Sequence, residues 1–364
     1  MPDPITRLID LAIQIQQIPS PTFAESRRAD FVRARFVEEH LSDVTQDALG
    51  NVYARLAGKG DAAPLVVSAH LDTVFPAETR LEVRREAERI IGAGLGDNSL
   101  GVAALFGLVW LLRERRLALP GDLWLVANVG EEGLGDLRGM RGVVDRFGSH
   151  VCAYLIIEGM GLGHVYHRAV GVQRYRVTVR TAGGHSWSDY GQPSAVHEMA
   201  HLVTQLAAIK LPVRPRTTLN VGVIAGGTTV NTLAAEAWCE LDLRSENDAA
   251  LAVLVGQVEQ LLAGANRDGV SVEVAVTSRR PSGEIALDHP LVRLAESCLH
   301  EQGLDANLTS GSTDANIPLS LGLPAVVLGV TTGGGAHSTH EFIQTEPLRQ
   351  GMEQLLNFVS RVWR

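Results

Sequence analysis

The chain has 364 residues, a hydrophobic fraction of 45% and a formal net charge of -9, long enough for two domains and a large core. Its basic residues are nowhere concentrated enough to follow a phosphate backbone, which argues against a nucleic-acid partner. Three scattered cysteines without a CxxC pair rule out a disulfide framework and point to a reducing compartment, so the expected location is the cytoplasm.

Residues 1–23 (MPDPITRLIDLAIQIQQIPSPTF) carry Asp3 and Asp10 and no small-residue cleavage site, so they read as an amphipathic helix rather than a signal peptide. No apolar run reads as approaching a membrane span, and no membrane partner is expected. The runs at 64–69 (PLVVSA), 123–129 (LWLVANV), 153–157 (AYLII) and 325–330 (AVVLGV) are short and bounded by polar or glycine-rich loops. Strands buried on both faces have this character. Between them, 100–112 (LGVAALFGLVWLL) reads as a helix apolar nearly all round, closed by Arg113, Arg115 and Arg116 in its last turn. Residues 290–300 and 347–362 have helical spacing with polar faces. The alternation predicts a three-layer α/β/α domain.

The middle of the chain differs. Residues 175–181 (YRVTVRT) alternate strictly, 194–209 are helical in pattern, 217–224 and 236–243 are strands, 248–262 are helical, and 270–277 form a last strand. The order β-α-β-β-α-β is that of a ferredoxin-like sheet. The predicted partition is therefore 1–169 and 283–364 for the α/β domain, with 170–282 inserted. A sheet covered by helices on one side leaves a face or an edge to be covered, by the α/β domain or by a second copy of the chain.

The chemistry lies where the apolar runs end. One run is followed by His70-Leu71-Asp72, the region 90–96 by Asp97, a third by Glu131-Glu132, a fourth by Glu158, and the last by a glycine loop and His337. In open α/β sheets ligands bind beyond the carboxyl ends of the strands. Each residue alone has an ordinary reading: His70 as a satisfied buried histidine, Glu131-Glu132 as a solvated loop. Together they fit a site for two divalent ions, which need a negative bridge between them. Asp97 can bridge, His70 and His337 can supply nitrogens, and Glu132 and Glu158 carboxylates. Asp72, two residues from His70, can hold the imidazole in one tautomer. Successive side chains of an extended segment point oppositely, so one of Glu131 and Glu132 binds metal and the other moves a proton. The residue pattern leaves open which does which. These ligands suit zinc, manganese or cobalt.

An ordered set of motifs runs through nearly the whole chain: HLD at 70–72, GLGDN at 94–98, GEEG at 130–133, IIEG at 156–159, GGHS at 183–186, LDLR at 241–244, GSTDAN at 311–316 and GAHSTHEF at 335–342. In this the chain resembles the co-catalytic zinc peptidases and amidohydrolases that include glutamate carboxypeptidase, peptidase T, aminoacylase, acetylornithine deacetylase and succinyl-diaminopimelate desuccinylase. The resemblance implies an α/β/α catalytic domain with an inserted lid and dimerisation domain, two zinc ions, and a homodimer formed through the insert. It makes Glu131 the general base. It places His70 and Glu158 on one ion, Glu132 and His337 on the other, and Asp97 between them. His337 is preferred to His340, which abuts Glu341. It also implies that His185 stabilises the oxyanion, often from a partner subunit. Arg244 and Asn231 would hold a substrate carboxylate, and Gly311, Ser312, Thr313 and Asp314 would line the substrate. A cis peptide at Asp97–Asn98 is implied too. Without the resemblance, His185 reads as a loop histidine, Arg244 as a surface ion-pair partner, and Cys239 as core; His164 and His167 read as structural or pocket-lining.

The run Asp97-Asn98-Ser99-Leu100-Gly101 lacks the lysine that many relatives carry after the bridging aspartate, which leaves subgroup and substrate open. The expected activity is zinc-dependent hydrolysis of a peptide or amide bond in a small substrate with a free carboxylate, as an amino-, di- or carboxypeptidase. The alternative substrate is an N-acyl amino acid. A non-catalytic metal-binding protein of the same fold is disfavoured because every expected ligand and the base are present. A dinucleotide-binding oxidoreductase is weakly suggested by Gly159-Met160-Gly161-Leu162-Gly163, but His164 stands where the fingerprint needs glycine. No GxSxG supports a serine hydrolase.

Overall fold

The computed structural model describes residues 3–364. The chain forms two compact units, one running to Ala169 and resuming at Glu284, the other spanning Val170–Gly283.

The first unit is built on a mixed sheet. Its four central strands, in spatial order Gly121–Asn128, Ala62–His70, Ala153–Met160 and Ala325–Thr331, all run parallel. Val52–Leu56 and Ser42–Gln46 extend it antiparallel on one side, and His164–Ala169 joins Ala325–Thr331 antiparallel on the other. The central strands are the apolar runs of the sequence. Their interiors, such as Val66, Val67, Leu125, Ile156 and Val327, are fully buried, because helices cover a parallel sheet on its faces.

The helices begin and end where local chemistry dictates. Pro4–Gln16 starts at Asp3, whose carboxylate accepts from the Ile5 and Thr6 amides at 3.2 and 3.4 Å, and Pro4 takes the first position. Leu8, Leu11, Ala12 and Ile15 form its buried stripe. It packs on Leu100–Glu114, as does Leu348–Arg361. In Leu100–Glu114 every residue from Leu100 to Leu112 is buried. The segment Leu95–Glu114 is in fact long and apolar enough to cross a membrane by length and composition, contrary to the expectation that no run comes close. The physical reason is that 94% of its apolar window is buried within the chain, so this helix is apolar all round because protein surrounds it.

The second unit has its own core, from Tyr175, Val177 and Val179 to Leu254 and Val258. Its strands lie in the order Thr217–Gly226, Glu236–Ser245, Gly171–Arg180, Ser271–Arg280, every pair antiparallel. The helices Ala195–Ala207 and Asp248–Gly264 pack against this sheet. This is the ferredoxin-like order. Along Gly171–Arg180 three outward arginines meet opposite charge across the ladder: Arg174 with Asp242 at 2.8 Å, Arg176 with Glu240 at 3.0 Å, Arg180 with Glu236 at 3.0 Å. Such cross-strand pairs let this part of the sheet face water.

Two helical glycines test how tightly the elements pack. A Cβ on Gly351 would lie 1.7 Å from the Val330 carbonyl oxygen, so Leu348–Arg361 lies directly on the Ala325–Thr331 strand there; a Cβ on Gly256 would meet nothing within 4 Å. Gly351→Ala is expected to destabilise the protein by about 3 kcal/mol through overpacking. Gly256→Ala is expected to stabilise it by about 0.5–1 kcal/mol through helix propensity. Urea unfolding of the two variants checks both signs.

Candidate metal centre

The parallel strands deliver their carboxyl ends to one edge of the sheet. His70 closes Ala62–His70 and pairs in register with Asn128, the last residue of Gly121–Asn128. Beyond Asn128 the chain turns at Gly130, with φ 67°, into Glu131 and Glu132. Glu158 lies within Ala153–Met160, opposite Gly329. Asp97 arrives differently from expectation. Arg89–Ile91 belongs to a separate small sheet, and Asp97 sits in an irregular turn just before Leu100–Glu114, with φ -116° and ψ 89°. The Asp97–Asn98 peptide is cis, as the resemblance implies. His337 lies in the loop between Gly333–Gly334 and Phe342–Gln344, in a left-handed conformation with φ 64°.

These residues converge around Asp97. Its Oδ1 lies 3.2 Å from His70 Nε2, and its Oδ2 lies 3.2 Å from His337 Nε2. Glu158 Oε2 is 3.7 Å from the same His70 nitrogen, and Glu132 Oε1 is 3.3 Å from the same His337 nitrogen. The result is two donor groups, His70–Asp97–Glu158 and Asp97–Glu132–His337, that share Asp97. Within each, the donor atoms lie within 4.8 Å of one another. A third group joins His70 with both Glu131 and Glu132. The two glutamates thus turn toward one region rather than to opposite sides, in a short segment between the left-handed Gly130 and the 3-10 turn that begins at Gly133. His340 belongs to none of the three groups, and nor do His164 or His167; the His167 ring instead meets the Ile285 carbonyl at 2.9 Å.

Three buried polar side chains that are not themselves in the donor pairs hold the donors in place. Asp72, fully buried, accepts from the Glu131 and Glu132 amides at 2.9 Å each and from the Thr22 hydroxyl at 2.9 Å. The nearest partner of the His70 Nδ1 is the Asp72 carbonyl at 3.0 Å, with the Asp72 carboxylate at 3.6 Å. Asp72 therefore fixes the glutamate pair as well as the imidazole. Asn98 spans Glu158: its amide donates to the Ile157 carbonyl at 2.8 Å and accepts from the Gly159 amide at 2.8 Å. A Cβ on Gly159 would lie 2.1 Å from the Gly96 carbonyl oxygen, so only glycine lets the Asp97 turn approach the Glu158 strand this closely. Glu341, also fully buried, accepts from the amides of Gly94, Gly96 and Asp97 at 3.2, 2.6 and 2.9 Å and so ties the His337 loop to Asp97. Asn98 and Glu341 were missed as site residues from the sequence. Their presence inside the GLGDN and GAHSTHEF motifs was the available signal.

The remaining expected residues divide. Gly311, Ser312 and Thr313 are half-buried, and Gly311 sits against the Tyr166 ring. Asp314 is fully enclosed and accepts from the Asn128 side chain at 2.7 Å, so it lies behind the strand end and cannot line a substrate surface directly. Burial pushes its carboxyl up to about 7. In the second unit, His185 and Asn231 share one exposed ribbon. His185 pairs with Thr232, and the Ser186 amide donates to the Asn231 carbonyl at 3.0 Å. His185 Nδ1 accepts from the Trp187 and Ser188 amides at 3.2 and 3.4 Å. Neutral imidazole then carries its proton on Nε2, as an outward donor. Arg244 is paired with Asp242 through its Nε at 2.6 Å.

The site is strongly anionic. Asp97 stays ionised: burial opposes its charge, but the His337 and His70 rings hold its carboxyl below the usual carboxylate range. Hydrogen bonds to Asp97 and Glu132 raise the His337 imidazole to about 10. Burial pulls the His70 imidazole down, yet its contacts with Asp72, Asp97 and Glu158 hold it well above its ordinary value. Paired nitrogens and carboxylates with a surplus of negative charge fit divalent cations of the zinc, manganese or cobalt kind. A cation takes the place of a proton on each imidazole, so protons compete with it. Zinc affinity is therefore expected to rise with pH between about 6 and 9, as protons leave the raised imidazoles. Competition against a chromophoric chelator checks this, and a flat profile would contradict it.

The comparisons with known proteins agree with this geometry. The model of the Peptidase family M20/M25/M40 matches residues 66–361. A succinyl-diaminopimelate desuccinylase of Corynebacterium glutamicum is 24% identical over 369 residues, covering 98% of this chain and 96% of its own. A tripeptidase structure from Staphylococcus aureus superposes with a TM-score of 0.83 at 23% identity, over 99% of both chains. A Bacillus subtilis structure described as a dinuclear metal-binding peptidase of the M20 family superposes with a TM-score of 0.69 at 17% identity, over 98% of both chains. At these identities the superpositions speak for the fold, and the family model speaks for membership. The chain belongs to peptidase family M20/M25/M40 and is a hydrolase of peptide or amide bonds.

Proposed function

We propose that the chain is a two-metal hydrolase that cleaves a peptide or amide bond in a small substrate carrying a free carboxylate. The observation that carries this is Asp97, which presents one oxygen to His70 and the other to His337 while Glu158 and Glu132 complete the two groups. His70, Asp97 and Glu158 would hold one ion, and Asp97, Glu132 and His337 the other. Two zinc ions bound there would polarise the scissile carbonyl and lower the pKa of the attacking water.

The chain's own residues then manage protons and charge. Glu131 takes the proton from the attacking water as its oxygen bonds to the carbonyl carbon. It returns a proton to the nitrogen as the C–N bond breaks. Asp72 holds the Glu131 amide and so fixes where that carboxylate can reach. His185, its Nδ1 engaged as an acceptor, offers Nε2–H to the oxyanion, from its own chain or from a partner in a dimer formed through the inserted unit. Arg244 and Asn231 receive the substrate carboxylate. For Arg244 this means exchanging its pairing with Asp242 for the substrate, a bidentate geometry that guanidinium supplies.

The test is hydrolysis by zinc-reconstituted protein of a dipeptide and its N-acylated counterpart, with Glu131→Gln beside the wild type. Turnover of either compound is expected, and the variant should keep its fold and metal while losing about 10²–10⁴ in rate. Cleavage of the free dipeptide alone assigns a peptidase; preference for the acylated compound assigns an amidohydrolase of N-acyl amino acids. Glu131→Gln protein that retains wild-type turnover would remove Glu131 from the proton-transfer role.

A further inference from the structure

The turn at Thr22–Glu25 is tied to the centre but takes no part in the roles above. The Thr22 hydroxyl donates to the Asp72 carboxylate at 2.9 Å and lies 3.5 Å from the Glu132 carbonyl oxygen. The next residue, Phe23, is held with φ 74°, a conformation that bulky side chains rarely adopt. It is held there by design of its neighbours. The Phe23 amide donates to Glu25 Oε1 at 3.0 Å, and the same oxygen accepts from Arg138 at 2.7 Å. Glu25 is buried. The Arg138 guanidinium lies 5.2 Å over the Phe23 ring and also donates to the Leu49 carbonyl at 3.1 Å. A partly buried ion pair thus fixes the base of the ring, yet Phe23 is 62% exposed. Two residues after Glu132, in the glycine-rich loop that carries the glutamate pair, Leu134 is 60% exposed.

An aromatic ring anchored at its base and left mostly exposed is an unfavourable arrangement, since burial of such a ring is favourable. One residue from the hydroxyl that joins Asp72 to Glu132, it has an occupant at hand. We propose that Phe23 and Leu134 form an apolar wall that receives the substrate side chain, so that the enzyme selects aliphatic or aromatic residues over glycine. This deepens the hydrolase reading and rests on it. Arg138 and Glu25 are positioning residues for the wall.

Two measurements test the wall separately from the chemistry. In the first, leucine and glycine, as product-like probes, are titrated into zinc-loaded protein by calorimetry. Wild type is expected to bind leucine at least about tenfold more tightly than glycine, the range a hydrophobic pocket reaches. Phe23→Ala is expected to bring that ratio close to unity, and Phe23→Leu to retain most of it. In the second, the ratio of kcat/KM for leucine- and glycine-containing substrates is expected to fall in parallel. An unchanged leucine-to-glycine ratio in Phe23→Ala overturns the proposal. Selective leucine binding that depends on Phe23, in protein that hydrolyses no amide, supports the wall and overturns the hydrolase reading instead.

Discussion

The structure turns on one shared carboxylate. Asp97 faces two imidazoles at equal distance, one oxygen to each, and Glu158 and Glu132 approach the same two nitrogens. Two like charges a few ångströms apart repel, and only a negative group between them makes such a pair stable. Everything else near the site places Asp97 or presents something to it. Three of the four central parallel strands bring His70, Glu158 and the glutamate pair to one edge, while a turn outside that sheet carries Asp97 across to meet them.

That division explains why the supporting side chains are buried and polar. A carboxylate buried inside a protein needs donors, and Asp72 and Glu341 each find theirs in backbone amides. Both join segments far apart in sequence, Asp72 the end of Ala62–His70 to the glutamate loop and Glu341 the His337 loop to the Asp97 turn. Asn98 adds the third link, stitching the turn to the strand on both sides of Glu158. Arg28 supports the same framework from behind, donating to the carbonyls of Leu71 and Ile18 at 2.8 and 2.7 Å with its guanidinium fully buried. Each of these groups would be costly if unpaired, and each is paired to a segment that carries a candidate ligand.

Much of this was legible in the sequence. The runs that became the central strands are β-branched and apolar over a strand's length, and the acids and histidines stand directly after them, so the edge of the sheet and its chemistry could be read together. The inserted β-α-β-β-α-β unit was legible for the same reason, since Tyr175, Val177 and Val179 alternate with Arg176, Thr178 and Arg180. What could not be read was whatever depends on contacts across the fold. Asp97 follows a stretch that resembles a strand but is a turn, because Gly94 and Gly96 let the backbone fold under Glu341. Asp314 resembles a pocket residue and is enclosed, because only the fold shows that Asn128 stands over it. The Leu100–Glu114 helix is equally instructive: its composition matches a membrane span, and only its surroundings show that the apolar environment is the protein itself.

The central claim is that Asp97 bridges two ions. Anomalous diffraction from crystals soaked in zinc tests it most directly. Two peaks are expected, about 3.5–4 Å apart, one beside His70 and Glu158 and one beside Glu132 and His337, with an Asp97 oxygen on each. A single peak, or two peaks that do not share Asp97, would contradict the account.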